Sequence, residues 1–536
     1  MKIMRVELLW QTRHHRPNSW STMPRGRQFL RMVGTKRRIT STAASESTEH
    51  RLHPLEAALL SVVALHLVFL PWALGTMHVW SQSVSFGFSV LSVCLAVWPR
   101  DYPPDGDAES SFRLRMLPIL SSFPIFWIGG LFLLYTLIQA LNPAWIYVRS
   151  DLGWWMQRVA CIHLLPSGMR TPFAQASPWR ALMIHGTVWL SVCAIWTGFT
   201  RRKALRILLV VLSVNAFLLA LLGLVQRALH ADRIFWFWKP PDSYFVSSFI
   251  YRNHAGAYFN LTLAIACALG CWYYRRQIRR HEPSSPAVVF GLFVAVLATI
   301  VLYSYSRTAT LLLIGSLVLA AAIIGRMTFV VRGARHQSLT TVFASVVFVS
   351  IVGLSLYALK TDRIAERMRE LEKEVGRGSV NGRLVVARAT WAMIQDRTVT
   401  GWGAGSYRFF FPVYQVRYPE ICIAPDSHKR LLFEHAHDDY LEFLAEYGVI
   451  GCGILLVGLC FCLFRLIGLR VWQNAPIGIL VLGCLATMVH AAIDFPFANP
   501  AILITWCCLW PVILRWLDIE RSREPAMSGT GVSPVG

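Results

Sequence analysis

Apolar runs long enough to cross a bilayer recur along the whole chain, at about 56–75, 83–98, 117–141, 181–199, 204–229, 254–274, 286–304, 308–325, 339–359, 438–464, 476–494 and 498–517. A hydrocarbon core about 30 Å thick takes roughly 20 helical residues, so each run predicts one crossing; 83–98 is short for a full one. The pattern predicts an all-α polytopic membrane protein of about twelve transmembrane helices, with both chain ends on one side. The first nine crossings occupy 56–359 and the last three 438–517. Residues 1–55 are basic (Arg25, Arg27, Arg31, Lys36, Arg37, Arg38) and no apolar stretch precedes a small-residue cleavage site. They read as a cytoplasmic tail and not a signal peptide; 518–536 read as a second, C-terminal cytoplasmic tail.

Two polar stretches are long. Residues 142–180 are rich in Trp and Pro (Trp145, Trp154, Trp155, Trp179), which suits a segment lying against lipid headgroups. Residues 360–437, between helices nine and ten, form the one large hydrophilic loop and are too long for a simple connector. A charged helix-like stretch, Asp362 to Val375, is followed by a break at Gly376-Arg377-Gly378. A second helical pattern covers 383–396, with Leu384, Val385, Ala387, Trp391 and Ile394 at the apolar positions. The chemistry is expected on this face, at the outer membrane–water interface.

Composition agrees with a membrane protein: of 536 residues 55% are apolar and only 15% charged, against roughly 25% charged in soluble domains. The net charge of +23, from 52 Lys and Arg against 29 Asp and Glu, would suggest nucleic acid in a soluble protein. Here Arg201-Arg202-Lys203, Arg275-Arg276 with Arg279-Arg280, Arg326 to Arg335, and Arg465 to Arg470 all fall in connections on one face. That is the positive-inside rule, and no nucleic-acid partner is implied. The twelve cysteines are too dilute for a disulfide scaffold. Only Cys161 and Cys422 are expected outside the spans, and nothing in the sequence indicates a bridge between them.

The densest polar constellation is Glu434-His435-Ala436-His437-Asp438-Asp439-Tyr440, just before helix ten. A histidine at the mouth of a helix bundle, beside carboxylates that orient its ring, suits a general base. Two blander readings stand beside it: a solvated loop histidine, and a metal site using His435, His437, Asp438 and Asp439. The alternate spacing lacks the helical i, i+4 pattern of a zinc site. A second constellation is arginine at the outer ends of spans: Arg252 before helix six, Arg307 in the short turn between helices seven and eight, and Arg383 in the large loop. A guanidinium binds phosphate oxygens bidentately and keeps its charge; ordinary snorkelling is the alternative, and it is weakest for Arg307. His490 and Asp494 lie four residues apart on one face of helix eleven, where pairing or a functional role would each account for them. The run Gly401-Trp402-Gly403-Ala404-Gly405 lacks the βαβ setting of a nucleotide loop and reads as a turn through which backbone approaches a substrate.

Taken in order, these residues resemble the O-antigen ligase and O-antigen polymerase superfamily over about 200–517. The strongest match is a His, a polar residue, nine residues, then Gly-x-x-Gly: His437-Asp438, then Tyr447 as the ninth, then Gly448-Val449-Ile450-Gly451. The family usually has Asn, Ser or Gln after the His, so Asp438 is a departure that bears on how the imidazole is oriented and on its pKa. Gly223-Leu224-Val225-Gln226, Arg252-Asn253-His254, Ser306-Arg307, Gly382-Arg383, the glycine run and His490 with Asp494 also match. The resemblance implies a metal-independent, cofactor-free, inverting glycosyltransferase at the periplasmic face of the inner membrane. Its donor would be a glycan on undecaprenyl diphosphate, held by Arg252, Arg307 and Arg383, and His437 would be the base. His435, Asp438, Asp439, His490 and Asp494 would support them. The acceptor would be a lipid A core, with a second lipid-linked glycan (polymerase) or an exported protein (O-oligosaccharyltransferase) as alternatives. A transporter for a lipid-linked solute is the competing class; the halves show no inverted repeat and no pair of Gly/Pro-broken spans.

Overall fold

The computed structural model of the chain describes residues 52–102, 112–151, 153–174, 176–241, 245–280, 283–332, 379–423 and 431–521. The basic tail through 51, the ninth crossing at 339–359, the charged stretch Asp362 to Val375, the glycine break after it and residues 522–536 lie outside these. The other eleven apolar runs are all helical.

The helices in chain order are α1 (Pro54–Trp72), α2 (Val79–Val97), α3 (Met116–Ser121), α4 (Pro124–Leu141), α5 (Pro178–Gly198), α6 (Arg202–Ala228) and α7 (Arg252–Arg280). They continue with α8 (Ala287–Tyr303), α9 (Arg307–Arg332), α10 (Ser379–Asp396), α11 (Tyr407–Gln415), α12 (Asp439–Gly468), α13 (Ala475–Ala491) and α14 (Pro500–Arg521). Among the described residues nine helices are long and apolar enough to cross a membrane, and α8 and α13 are shorter apolar helices. The protein is an all-α, multi-pass membrane protein in its bulk. Proline opens α1, α4 and α5, where its missing N–H costs nothing and its fixed φ favours the first turn.

Three boundaries depart from the hydropathy pattern. The run at 83–98 extends back to Val79, giving 19 residues. It looks short in sequence because Ser81, Gln82 and Ser83 interrupt it. The serine hydroxyls bond to carbonyls of the same chain segment, Ser83 to Val79 at 3.0 Å and Ser81 to His78 at 2.7 Å, which hides their polarity. The run at 117–141 is two helices, α3 and α4, because Pro124 enforces a fresh start after the turn at Ser122-Phe123. At the chain's end α14 runs on to Arg521, through the first residues assigned to the tail.

The arginine-rich helix ends come together. Glu56 at the start of α1 accepts from Thr200 N at 2.9 Å and Arg201 N at 3.2 Å, between α5 and α6. Arg202 pairs with Glu520 at 3.7 Å, Arg465 with Asp518 at 2.7 Å, and Asn474 bonds to Glu520. This gathers the ends of α1, α5, α6, α12, α13 and α14 at one pole of the bundle.

Hydropathy cannot read the short strands, which lie toward both poles. Short strands β1 (Arg100–Tyr102) and β2 (Phe112–Leu114) pair near the basic pole. The Trp-rich segment, by contrast, is a three-stranded sheet of β3 (Pro143–Ser150), β4 (Gly153–Arg158) and β5 (Gly168–Arg170), with β3 central, antiparallel to β4 and parallel to β5. It is therefore not a bare interfacial coil. Trp145 and Tyr147 from β3 pack with Met169 from β5 against Trp402, Phe409, Phe410 and Tyr414 of the segment before α12, forming a second aromatic core. The two long connections that the sequence presents separately make one cap.

Candidate active site

The chain enters α12 through a strained corner. His437 has φ +55°, a left-handed conformation that costs a non-glycine residue on the order of 1–3 kcal/mol and tends to mark functional positions. The next residue ends the strain: Asp438 is the N-cap, its Oδ1 accepting from the backbone N–H of Tyr440 at 2.9 Å and Leu441 at 3.1 Å. Its carboxylate is spent on the helix start, so the expected influence of Asp438 on the imidazole is not exerted by direct contact. Asp, Asn and Ser all serve at such a cap. Asp439, which is buried, accepts from Phe497 N at 2.8 Å and ties the start of α12 to the loop after α13.

That loop supplies the partner of His437. Asp494, 1% exposed, takes the side-chain amide of Asn253 on Oδ2 and the N–H of Phe495 on Oδ1 at 3.0 Å. The same Oδ1 faces His437 Nδ1 at 3.5 Å. This is longer than a formed hydrogen bond, as is common for such pairs before substrate binds. A proton on Nδ1 pointing at Asp494 leaves Nε2 as the basic nitrogen. Burial works to raise the Asp494 carboxyl, but the facing His437, with His490 and Arg383 nearby, holds it below the ordinary carboxylate range.

Arg383, in the first turns of α10, donates from Nη1 to the carbonyl of Ile493 at 3.2 Å, one residue from Asp494. Arg252 opens α7, and both arginines act electrostatically on the hydroxyl of Tyr251. Arg307 opens α9. What links it to Arg252 is the packing of the two helix starts: Asn260 donates to Ala309 O at 2.8 Å, and a Cβ on Gly256 would lie 2.5 Å from Ala309 Cβ. His490 is buried and accepts the backbone N–H of Asp494 on its carbonyl at 2.9 Å, but its ring makes no hydrogen bond to the carboxylate; its Nε2 has no partner among the described residues. His435 bonds through Nδ1 to Glu442 Oε1 at 2.8 Å.

Phe495 sits in the middle. His435 stacks on it (4.6 Å, 16°), as does Tyr251 (5.2 Å, 13°), while His437 (4.9 Å, 72°) and His254 (5.1 Å, 87°) meet it edge-on. Neither Phe495 nor Glu442 is singled out by the sequence. A signal for Glu442 exists in its place one helical turn after the Asp438 cap, on the same helix face; for Phe495 there is none.

The glycine run packs against other backbone of the protein. Trp402 N donates to Ala445 O at 2.8 Å and Gly403 N to Glu446 O at 2.9 Å, so the run docks on α12 where Gly448 (φ +63°) breaks its regular course. A Cβ on Gly401 would lie 2.4 Å from the Glu446 backbone, which is why no side chain is admitted there. The run is scaffold. All twelve cysteines are free, Cys161 and Cys422 included. Among the described residues no three His, Cys, Asp or Glu side chains converge as metal ligands.

Residues 291–456, from α8 to the middle of α12, match the O-antigen ligase family. The chain carries an O-antigen ligase domain. That match supports the O-antigen ligase superfamily, whose members are glycosyltransferase-like enzymes that use lipid-linked glycans. The matched residues contain Arg307, Arg383, His435, His437 and Asp438; Arg252, His490 and Asp494 lie outside them and join the site through the fold. No curated protein matches the chain.

Proposed function

We propose that the protein transfers a glycan from undecaprenyl diphosphate to an acceptor hydroxyl, the acceptor being a lipid A core, at the periplasmic face of the inner membrane. The observation that carries the reading is His437, held in a strained corner with Nδ1 facing a buried carboxylate at 3.5 Å, with Arg383 bonded one residue from that carboxylate. His437 Nε2 takes the proton of the acceptor hydroxyl as its oxygen attacks the anomeric carbon with inversion. Arg252, Arg307 and Arg383 hold the diphosphate and stabilise the charge it gains on leaving, a task that needs no metal ion. The basic pole of the bundle then faces the cytoplasm, as the positive-inside rule requires, and the site faces away from it.

Deletion of the gene, followed by separate analysis of lipopolysaccharide, free lipid-linked glycan and exported glycoprotein, tests the acceptor. A ligase defect strands full-length polymer on its lipid carrier and leaves the lipid A core unextended. Stranding of a single repeat unit would make the protein a polymerase, and loss of protein glycosylation alone would make the acceptor a polypeptide.

A further inference from the structure

The site holds two histidine–carboxylate pairs, and the reaction as described uses one. His437 faces Asp494; His435, two residues earlier, is bonded to Glu442 at 2.8 Å. The second pair is the tighter. Glu442 spends its other oxygen on the N–H of Ala436 at 2.8 Å, so the carboxylate is gripped on both sides and cannot swing away from the ring. The ring is fixed a second time by its stack on Phe495, the same ring that His437 meets edge-on. With Nδ1 committed to Glu442, the free edge of His435 is Nε2, which makes no hydrogen bond among the described residues. A ring clamped this firmly, with one nitrogen left over beside a base, is built to present that nitrogen to something.

The surroundings favour a proton on it. The titratable groups that face His435 are Glu442, Glu434, Glu446 and His254. Glu434 is bonded to Arg408 at 3.0 Å and Glu446 to the N–H of Tyr407 at 3.0 Å, so Glu442 is the partner that decides. Burial lowers the imidazole's pKa, but the adjacent Glu442 outweighs it and the net shift is upward.

We propose that His435 is a second substrate-contacting group, an imidazolium whose Nε2–H is donated to a phosphate oxygen of the substrate while His437 acts as base. This rests on the glycosyl-transfer reading above. The proton count closes: the acceptor proton goes to His437 Nε2 as the new glycosidic bond forms. The bond from the anomeric carbon to the diphosphate breaks with its electron pair kept on the phosphate oxygen. The proton on His435 is shared with that oxygen and stays on the ring. The phosphate is either the donor's diphosphate or a phosphate on the acceptor, and kinetics separates the two.

The test uses the full chain in lipid nanodiscs, with lipid-linked glycan as donor and acceptors with and without phosphate. His435→Gln should lower turnover or raise one KM, for a combined loss of roughly 10- to 100-fold, since a donor at a developing charge is worth that much or more. A rise in donor KM or a fall in kcat with both acceptors assigns the contact to the diphosphate; a change seen only with the phosphorylated acceptor assigns it to the acceptor. The pH profile separates contact from scaffolding. A raised pKa holds the proton to higher pH than an ordinary imidazole does, and it is lost on the alkaline side, so wild-type activity falls there. That limb should vanish in His435→Gln and move to lower pH in Glu442→Gln, which tests the pair should the first variant fold poorly. A His435→Gln enzyme with unchanged kcat, both KM values and alkaline limb overturns the proposal. His437→Ala, run in parallel, keeps the two readings apart: if it retains full turnover, the transfer mechanism itself fails, whatever His435 does.

Discussion

At the scale of single residues the decisive pair is Asp494 and His437, because a proton on Nδ1 facing the carboxylate would leave Nε2 as the basic nitrogen. Asp494→Asn keeps the shape and removes the charge. The tautomer preference of His437 is then lost, and the Asn253 amide faces a side chain that offers it an amide in return. Transfer should fall by roughly 10²–10³-fold in kcat with donor KM little changed, in the range of a lost positioned acid–base group. Steady-state kinetics at saturating donor reads this directly. An equal fall in thermal stability and activity, with the kinetic split absent, would reduce Asp494 to a structural anchor. The sequence exposes His437 through its spacing from Gly448 and Gly451 and exposes Asp494 through its place beside His490. By spacing it offers His490 as the neighbour of Asp494, whereas the carboxylate faces His437. Helical spacing reports neighbours along one helix, whereas the loop after α13 turns Asp494 toward α7 and α12.

At the scale of elements, crossings are legible and their interruptions are not. Apolar runs of about 20 residues mark helices because a single segment satisfies its own backbone groups in lipid only as a helix. The course of α12 at Gly448 has no such imprint: there φ is +63° and ψ −173°, and the backbone of Thr398 and Val399 bonds to Val449 and Ile450 at 2.8 and 3.2 Å. A Cβ at 448 would lie 2.4 Å from Val399 O. Gly448→Ala should therefore destabilise the protein by about 3 kcal/mol or more, through strain and steric overlap together. Gly453→Ala, five residues along the same helix where an added Cβ meets nothing within 4 Å, should be neutral or stabilising by about 0.5–1 kcal/mol. Thermal unfolding of both variants in detergent checks the contrast; equal melting temperatures would mean that the glycine run does not lock onto α12. The sheet of β3 to β5 is missed for a related reason. Its Trp and Tyr residues satisfy a lipid interface and a packed aromatic cap equally well, and only the partners Phe409 and Phe410 decide between them.

At the scale of the whole molecule, the basic pole and the histidine pole are opposite ends of one bundle, and the proposed chemistry belongs to the second. The central claim is that His437 drives glycosyl transfer there with arginines, not a metal ion, balancing the diphosphate. It is tested most directly by the rate of glycosidic bond formation in purified wild-type protein and in His437→Ala, with lipid-linked donor, acceptor and excess EDTA throughout. The wild type should turn over undiminished in chelator, and His437→Ala should be slower by roughly 10²–10⁴-fold. Full turnover by His437→Ala, or a wild type silent in EDTA and restored by one divalent ion, would contradict it.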